Sequence, residues 1–338
     1  MNIDDVARHC GVSRSTVSYA LSGKRAISAQ TRQRVLDAVD ELGYRPAGPG
    51  RAAKKGRTGA IGLVIPPAAD QLTAMQLDFV GAVMEAAARA DLDVLLSPSS
   101  SGHDGSFERI VTGGHLDGLI VMELRLDDLR VERLRRTRMP FVTVGRTARS
   151  NAWSWVDLDT GTLVSRCVDH LADLGHRHVA LINRSTRLLM PGYAPAHRAR
   201  AGFAEASARR GVEGVESCCA DDEQAGERCM RWILEAHPQI TGLVTINEAA
   251  LPGIQRALEH ADVQVPSRLS ITGLVGRHWA ERFQPGLTAF DVPAAALGST
   301  AVDFLRERIA RPGCAPAQEL LVPRLSAGQS TGPAPVRR

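Results

Sequence analysis

From Gly59 onward, short β-branched runs alternate with longer amphipathic stretches, and this alternation constrains the fold more than any other feature. Strand-like runs fall at 60–65, 93–97, 118–122, 140–145, 178–182, 242–246, 269–273 and 287–290. Helical patterns lie between them at 77–90, 161–174, 199–210, 225–236, 249–260 and 295–309. Strands that alternate with helices imply parallel sheets covered by helices on both faces. So many units exceed one comfortable sheet, and two α/β lobes are expected.

The first 46 residues follow another pattern, that of three short helices. Asn2 is placed to cap the first, whose inward face holds Val6 and Ala7. Gly11 breaks it after Cys10. Ser13 caps a second helix from Arg14 to Leu21, with Val17 and Leu21 facing inward, and Gly23 ends it. Ser28 caps a third, where Val35, Val39 and Leu42 share one face before Gly43. A helix, a glycine turn and a second helix at a steep angle can set that second helix into a major groove. Its outward positions are Arg14, Ser15, Ser18 and Tyr19. Arginine suits bidentate contact with guanine. The hydroxyls of Ser13, Thr16, Ser18, Ser22, Ser28 and Thr31 suit phosphates.

Charge supports a nucleic-acid partner at this end. Residues 1–58 carry eleven Lys/Arg against five Asp/Glu, whereas the remainder carries thirty against thirty-two. The stretch 47–58, AGPGRAAKKGRT, cannot build a core and reads as a linker. The expected organisation is therefore a headpiece over 1–46, a linker over 47–58 and a two-lobed domain over 59–330. The lobes should cross near 156–159, 275–291 and 318–323, and the chain should fray from Pro323 through a tail at 331–338.

The segments DVARHCGVSRSTVSYALSGKRAIS and TRQRVLDAVDELGYRP closely resemble the headpiece of the lactose-repressor (LacI/GalR) family of bacterial regulators. A weaker resemblance continues through GRTGAIGLVIP, HLADLGHRHVALI, VQVPSRLSITG and GLTAFDVPAAALG. It implies an all-α helix-turn-helix headpiece on an α/β sensing domain similar to periplasmic sugar-binding proteins. It further implies a homodimer on a pseudo-palindromic double-stranded operator, with a small-molecule effector of sugar-like type between the lobes. Family base contacts correspond to Arg14, Ser15 and Tyr19. The family's minor-groove leucine corresponds to Ala53, with Arg51, Lys54 and Lys55 along the phosphates. Because Gly48, Pro49 and Gly50 precede a small alanine, a weak hinge helix is expected. The dimer surface is expected on the helix at 77–90.

The implied effector cleft departs from the family. Val275 stands where an acid is usual after SITG. Ala199 stands three residues before Gly202 where the family has arginine, flanked by Arg198 and Arg200. The loop PPAADQLTAMQ carries Asp70 and lacks aromatics. Asn247 matches the family's effector-contacting asparagine, with Glu248 in place of the commoner aspartate. Trp153 and Trp155 are open to two readings, as ligand-stacking rings or as packed core. The terminal arginine of the family is replaced by Gly328, and no leucine heptad follows, so a dimer is expected.

Other classes fit less well. Ser100, Ser101, His103 and Asp104 lie in one loop, whereas a catalytic triad is assembled from separate elements. The sequence has no G-x-S-x-G, Walker or G-x-G-x-x-G signature, so no enzyme and no cofactor are expected. Cys218, Cys219 and Cys229 cluster without metal-site spacing, so no metal is expected. The start MNIDDVARHC is not a secretory signal and no run reaches a membrane span, giving a cytoplasmic expectation. A small-molecule binding protein with a secondary DNA role is the alternative.

Overall fold

A computed structural model describes residues 3–22, 25, 27–42, 57–65, 72–98 and 105–336. The chain divides into two compact units at Gly59/Ala60. The first holds α1 (Ile3–Cys10), α2 (Arg14–Ser22) and α3 (Ala29–Glu41).

The second unit has two lobes, each with a six-stranded sheet. Lobe 1 begins with β1 (Ala60–Ile65), α4 (Ala74–Arg89), β2 (Asp93–Pro98), α5 (Gly105–Thr112) and β3 (Gly118–Val121). It continues through α6 (Leu129–Arg135), β4 (Phe141–Val144) and β5 (Ser154–Leu158). The chain then enters lobe 2 with α7 (Thr160–Asp173), β6 (His178–Asn183), α8 (Thr186–Leu189), α9 (Ala194–Arg210) and β7 (Glu213–Cys218). There follow α10 (Glu223–Ala236), β8 (Gly242–Thr245), α11 (Leu251–His260), β9 (Ser270–Val275), α12 (Arg277–Arg282) and β10 (Thr288–Asp291). It returns to lobe 1 for α13 (Ala294–Ala310) and β11 (Gln318–Leu321), and ends in lobe 2 with β12 (Leu325–Ser326). Sheet orders are β11-β5-β4-β3-β1-β2 and β12-β10-β9-β8-β6-β7. Every pairing is parallel except β10 with β12.

The central strands β3, β8 and β9 are buried throughout, as expected of strands covered on both faces. Helix α13 packs on α4 so closely that a Cβ on Gly298 would lie 2.7 Å from that of Ala82. The Thr73 hydroxyl and the Gln76 side chain close a capping box that starts α4. Among the described residues no helix is long and apolar enough to cross a membrane.

Two expectations need correction. The middle crossing falls after β10, between Asp291 and Ala294, because β10 stays paired with β9 and β12 in lobe 2. The described end of the chain also packs against lobe 2. Ser330 is fully buried. Its hydroxyl donates to Ile271 O (2.6 Å) and accepts from Thr288 N (2.8 Å). His176, also fully buried, bonds Thr241 Oγ1 through Nδ1 (2.8 Å) and Gly332 O through Nε2 (3.1 Å). Trp153 and Trp155 belong to the lobe 1 core, which decides between their two readings.

Burial holds the His176 pKa below its ordinary 6.5, with His170 adding to the effect. The unfolded chain therefore takes up protons that the folded lobe resists. Stability is full above about pH 6.5 and declines as pH falls through the folded value. Urea denaturation should show a lower midpoint at about pH 5.5 than at about pH 7.5, and His176→Gln should flatten that difference. An unchanged slope in the variant would assign the acid sensitivity elsewhere.

Candidate functional sites in the headpiece and the interlobe cleft

The headpiece is small, so a few apolar residues must orient its helices. Val6, Val17 and Val35 are fully buried, and Ala7, Ala20 and Ala38 fill the space between them. Gly11 adopts φ +65° after α1. Bonds from Gly11 N to Arg8 O (3.3 Å) and Val12 N to Ala7 O (3.1 Å) close a Schellman stop that sets the turn into α2. Ser13 then accepts from Thr16 N at 3.1 Å.

With Val17 and Ala20 facing the core, α2 turns Arg14, Ser15 and Ser18 to solvent. Tyr19 is half-buried, with the Arg25 guanidinium 5.9 Å from its ring centroid. The Ser13 hydroxyl lies 2.8 Å from both the Ser15 and Thr16 hydroxyls, gathering polar groups at a helix N-terminus. Ser28 caps α3 through Thr31 N at 3.2 Å. Arg14 sits 3.7 Å from Asp4. Both side chains are exposed, and such a pair is worth at most about 1 kcal/mol, little hindrance to another partner. Asn2, Gly23, Gly43, the linker residues Arg51, Ala53, Lys54 and Lys55, Asp70, and the 100–104 loop lie outside the described residues. So does the side chain of Ser22.

Between the lobes lies a cavity of about 130 Å³. Its walls are mainly apolar, with Phe79, Met122 and Leu297 from lobe 1 and Ile246 and Leu274 from lobe 2. Among the described residues, the polar lining is Gln76, Glu123, Asp157, Thr160, Arg184 and Tyr193. Glu123 follows β3 at φ +56°, a conformation uncommon for a side chain of this size. Buried Arg130 holds it there, donating to Glu123 O (2.8 Å) and Met122 O (3.2 Å) while paired with Asp128 (2.8 Å).

Burial disfavours the Asp128 anion, but Arg130 outweighs it, and the carboxyl sits below the usual range. Across the cavity, Arg184 donates to Asp221 at 2.6 Å with its guanidinium over the Tyr193 ring. Burial opposes the Arg184 charge, but Tyr193, Asp221 and Glu123 more than offset it, so its pKa rises. Burial, reinforced by Glu123, pushes the Tyr193 phenol well up. Asp157 is likewise raised by burial, against its 2.9 Å bond from Arg146.

Backbone bonds hold the lobes closed, from Ala194 N to Leu124 O (2.9 Å) and Leu126 N to Gly192 O (2.7 Å). Buried Glu248 adds a bridge, accepting from Met75 N of lobe 1 (2.9 Å) and Gly276 N of lobe 2 (3.3 Å).

The sequence-derived cleft residues are displaced from this lining. Val275 is fully buried in the lobe 2 core, because alternation along β9 gives the cavity Leu274 instead. Arg200 pairs outward with Glu216 at 2.6 Å. Arg198 crosses to lobe 1 but spends its guanidinium on Arg146 O (2.8 Å) and Thr147 O (3.2 Å). Asn247 is buried behind the wall, donating to Cys219 O (3.0 Å) and Ala220 O (3.2 Å). Glu248 serves the bridge. Sequence reasoning missed Glu123, Arg184 and Tyr193. The first two follow β3 and β6, and the carboxyl ends of parallel strands are where α/β sheets bind ligands, a signal that was available.

Comparison with known proteins gives a consistent result. Residues 2–47 match the family described as bacterial regulatory proteins, lacI family, and residues 168–331 match a periplasmic binding protein-like domain. The chain is 30% identical to the HTH-type transcriptional regulator AglR of Rhizobium meliloti, covering 100% of this chain and 96% of that one. A transcriptional regulator CelR–cellobiose complex superposes with a TM-score of 0.71 at 25% identity, covering 98% of this chain and 99% of that one. A lac repressor dimer bound to operator and the anti-inducer ONPF shares the fold, with a TM-score of 0.79 at 22% identity and the same coverage.

Removing the Glu248 carboxylate leaves two backbone donors unmatched. Glu248→Ala should raise amide exchange at Met75 and Gly276 by roughly ten- to hundredfold, the order expected from losing a charge-assisted bond of about 1.5–3 kcal/mol. Unaltered exchange there, with circular dichroism preserved, would rule out the bridge as a determinant of closure.

Proposed function

The chain belongs to the lacI family of bacterial regulatory proteins, and we propose that it acts in the cytoplasm as a dimeric, effector-responsive transcriptional repressor. It is a DNA-binding regulator and not an enzyme. One observation carries the assignment of its reading surface: α2 presents Arg14, Ser15 and Ser18 outward from the Val6, Val17 and Val35 core. Arg14, Ser15 and Tyr19 read base edges, and Ser13, Thr16, Ser18, Ser22, Ser28 and Thr31 approach phosphates. Lys54 and Lys55, with Arg51, follow the backbone through the linker, and Ala53 is too small to wedge a base step strongly.

The effector enters between the lobes. A sugar-like molecule is the class suggested by the regulator CelR, whose structure holds cellobiose. Ligand pockets are typically about 300–1,000 Å³, so a cavity of about 130 Å³ must hinge open to admit one. Among the described residues, Glu123, Asp157 and Arg184 are the charged groups it would meet. A ligand that favours one lobe angle shifts the population of that angle and, through the dimer, the spacing of the headpieces.

Dimerisation is assigned to the outer face of lobe 1. Leu77 and Met84 on α4 and Leu95 and Leu96 on edge strand β2 are large apolar side chains left exposed. A two-fold dimer would cover the same patch on both subunits.

Two measurements test this reading. Arg14→Ala should lose about 1–3 kcal/mol at the preferred DNA site and little on bulk DNA. Lys54→Ala should weaken both alike and reduce the salt slope by about one. Equal behaviour of the two variants would overturn the division of contacts. Separately, Met84→Lys should convert the dimer to monomer in sedimentation and weaken site binding with it. An intact dimer would move the interface elsewhere.

A further inference from the structure

With the lobes closed, the cleft cavity of about 130 Å³ has the size and walls for one small ring. Among the described residues, lobe 1 lines it with Phe79, Met122 and Leu297, and lobe 2 with Ile246 and Leu274. All five side chains belong to the buried set. Met75 adds a second thioether to the wall. A dry cavity of about 150 Å³ lined by Leu, Ile and Phe takes up benzene, so the volume here matches a single six-membered ring. One phenylalanine and two methionines favour an aromatic ring, because ring edges and thioether sulfurs both make favourable contacts with one.

Much of the polar lining is already engaged. Gln76 Oε1 accepts from Thr73 N at 2.9 Å. The Asp157 carboxyl accepts from Arg146 Nε (2.9 Å) and from Leu158 N (2.8 Å). Thr160 adds one hydroxyl at the start of α7. The remaining polar groups form one cluster. Arg184, with Nε on Asp221 at 2.6 Å, holds its guanidinium 5.5 Å from the Tyr193 ring centroid. Glu123 lies close enough to act on the charges of both. An ionised carboxylate only accepts hydrogen bonds, and a guanidinium only donates them. A hydroxyl can give its proton to Glu123 and accept from Arg184. An ammonium group lacks the acceptor, and a carboxylate lacks the donor. A sugar carries hydroxyls around its whole ring, and apolar walls at this closed angle would strand most of them at a cost for each.

We propose that the closed cleft binds a monocyclic aromatic alcohol, with its ring among the apolar walls and its hydroxyl between Glu123 and Arg184, and that this ligand holds the lobes closed. A sugar-like effector needs the cleft open, so the two classes favour opposite lobe angles and compete. The consequence for DNA rests on the proposed effector response of this same cleft, whereas the binding itself does not.

The test titrates the full-length dimer, without DNA, with benzyl alcohol, toluene, benzylamine, benzoate and glucose, read by calorimetry and by amide exchange. Benzyl alcohol should saturate one site per chain and slow exchange at Leu126 and Ala194, whose amides join the lobes. Toluene should bind roughly tenfold or more weakly, the ratio expected for a hydrogen bond to a charged group. Benzylamine and benzoate should also bind more weakly than the alcohol. Glu123→Ala should cost benzyl alcohol more than toluene and close most of the gap between them, a pattern that loss of folding would not give. Ala294→Phe, which fills the cavity from a half-buried position, should abolish binding of both. No saturable binding of benzyl alcohol, equal affinity for toluene, or undiminished binding in Ala294→Phe would each overturn the proposal. So would tighter binding of benzylamine or benzoate, or glucose slowing the same two amides. Repeating the titration with bound DNA separates the two readings. Closure by benzyl alcohol with unchanged DNA affinity would retain the ligand site and overturn the effector response.

Discussion

The chain passes between the two lobes three times, after β5, β10 and β11, and this constraint organises the sensing domain. Three connections keep the lobes from separating. Bonds between the lobes add to them. Leu124 and Leu126 meet Ala194 and Gly192, and Glu248 joins Met75 to Gly276. Because a helix N-terminus favours a carboxylate, Glu248 reads the position of α4 directly. Helix α4 also carries exposed Leu77 and Met84. One element therefore links the lobe angle to the proposed dimer surface.

The cleft combines an apolar lining with a small buried charge network, and the two features support each other. Arg184, Asp221, Glu123 and Tyr193 lie together where water is scarce, so each charge depends on its neighbours. A ligand that inserts a polar group must replace one of these partners or leave a charge unmatched. That requirement favours discrimination by hydrogen-bond pattern over discrimination by bulk. The strained backbone of Glu123, held by buried Arg130, places one such partner in the wall.

The architecture was legible in the sequence where local chemistry and burial agree. Ser13, Gly11 and Ser28 mark the headpiece helices because capping geometry is local. The continuous apolar runs of β1, β3, β6 and β8 reflect burial on both faces. Edge strand β7, EGVESC, shows no such run because none of its residues is fully buried. Helix α9 starts earlier than its pattern suggests, since Pro195 opens the helix and does not interrupt it. The end of the chain reads as frayed by composition, yet Ser330, Thr331 and Gly332 are pinned by bonds to Ile271, His170, His176 and Ser270. The cleft was least legible. Arg198 and Arg200 flank the expected position, but helix phase directs one to the Arg146 carbonyl and the other to Glu216, which no residue count reveals.

The central claim is that this headpiece, in a dimer, reads a specific two-fold site. Selection of bound sequences from a random DNA pool, with the full-length protein at physiological salt, tests it most directly. The account predicts enrichment of a pseudo-palindrome with fixed half-site spacing, as a two-fold dimer requires. A pool that stays flat through successive rounds, from protein that remains folded and dimeric, would contradict it.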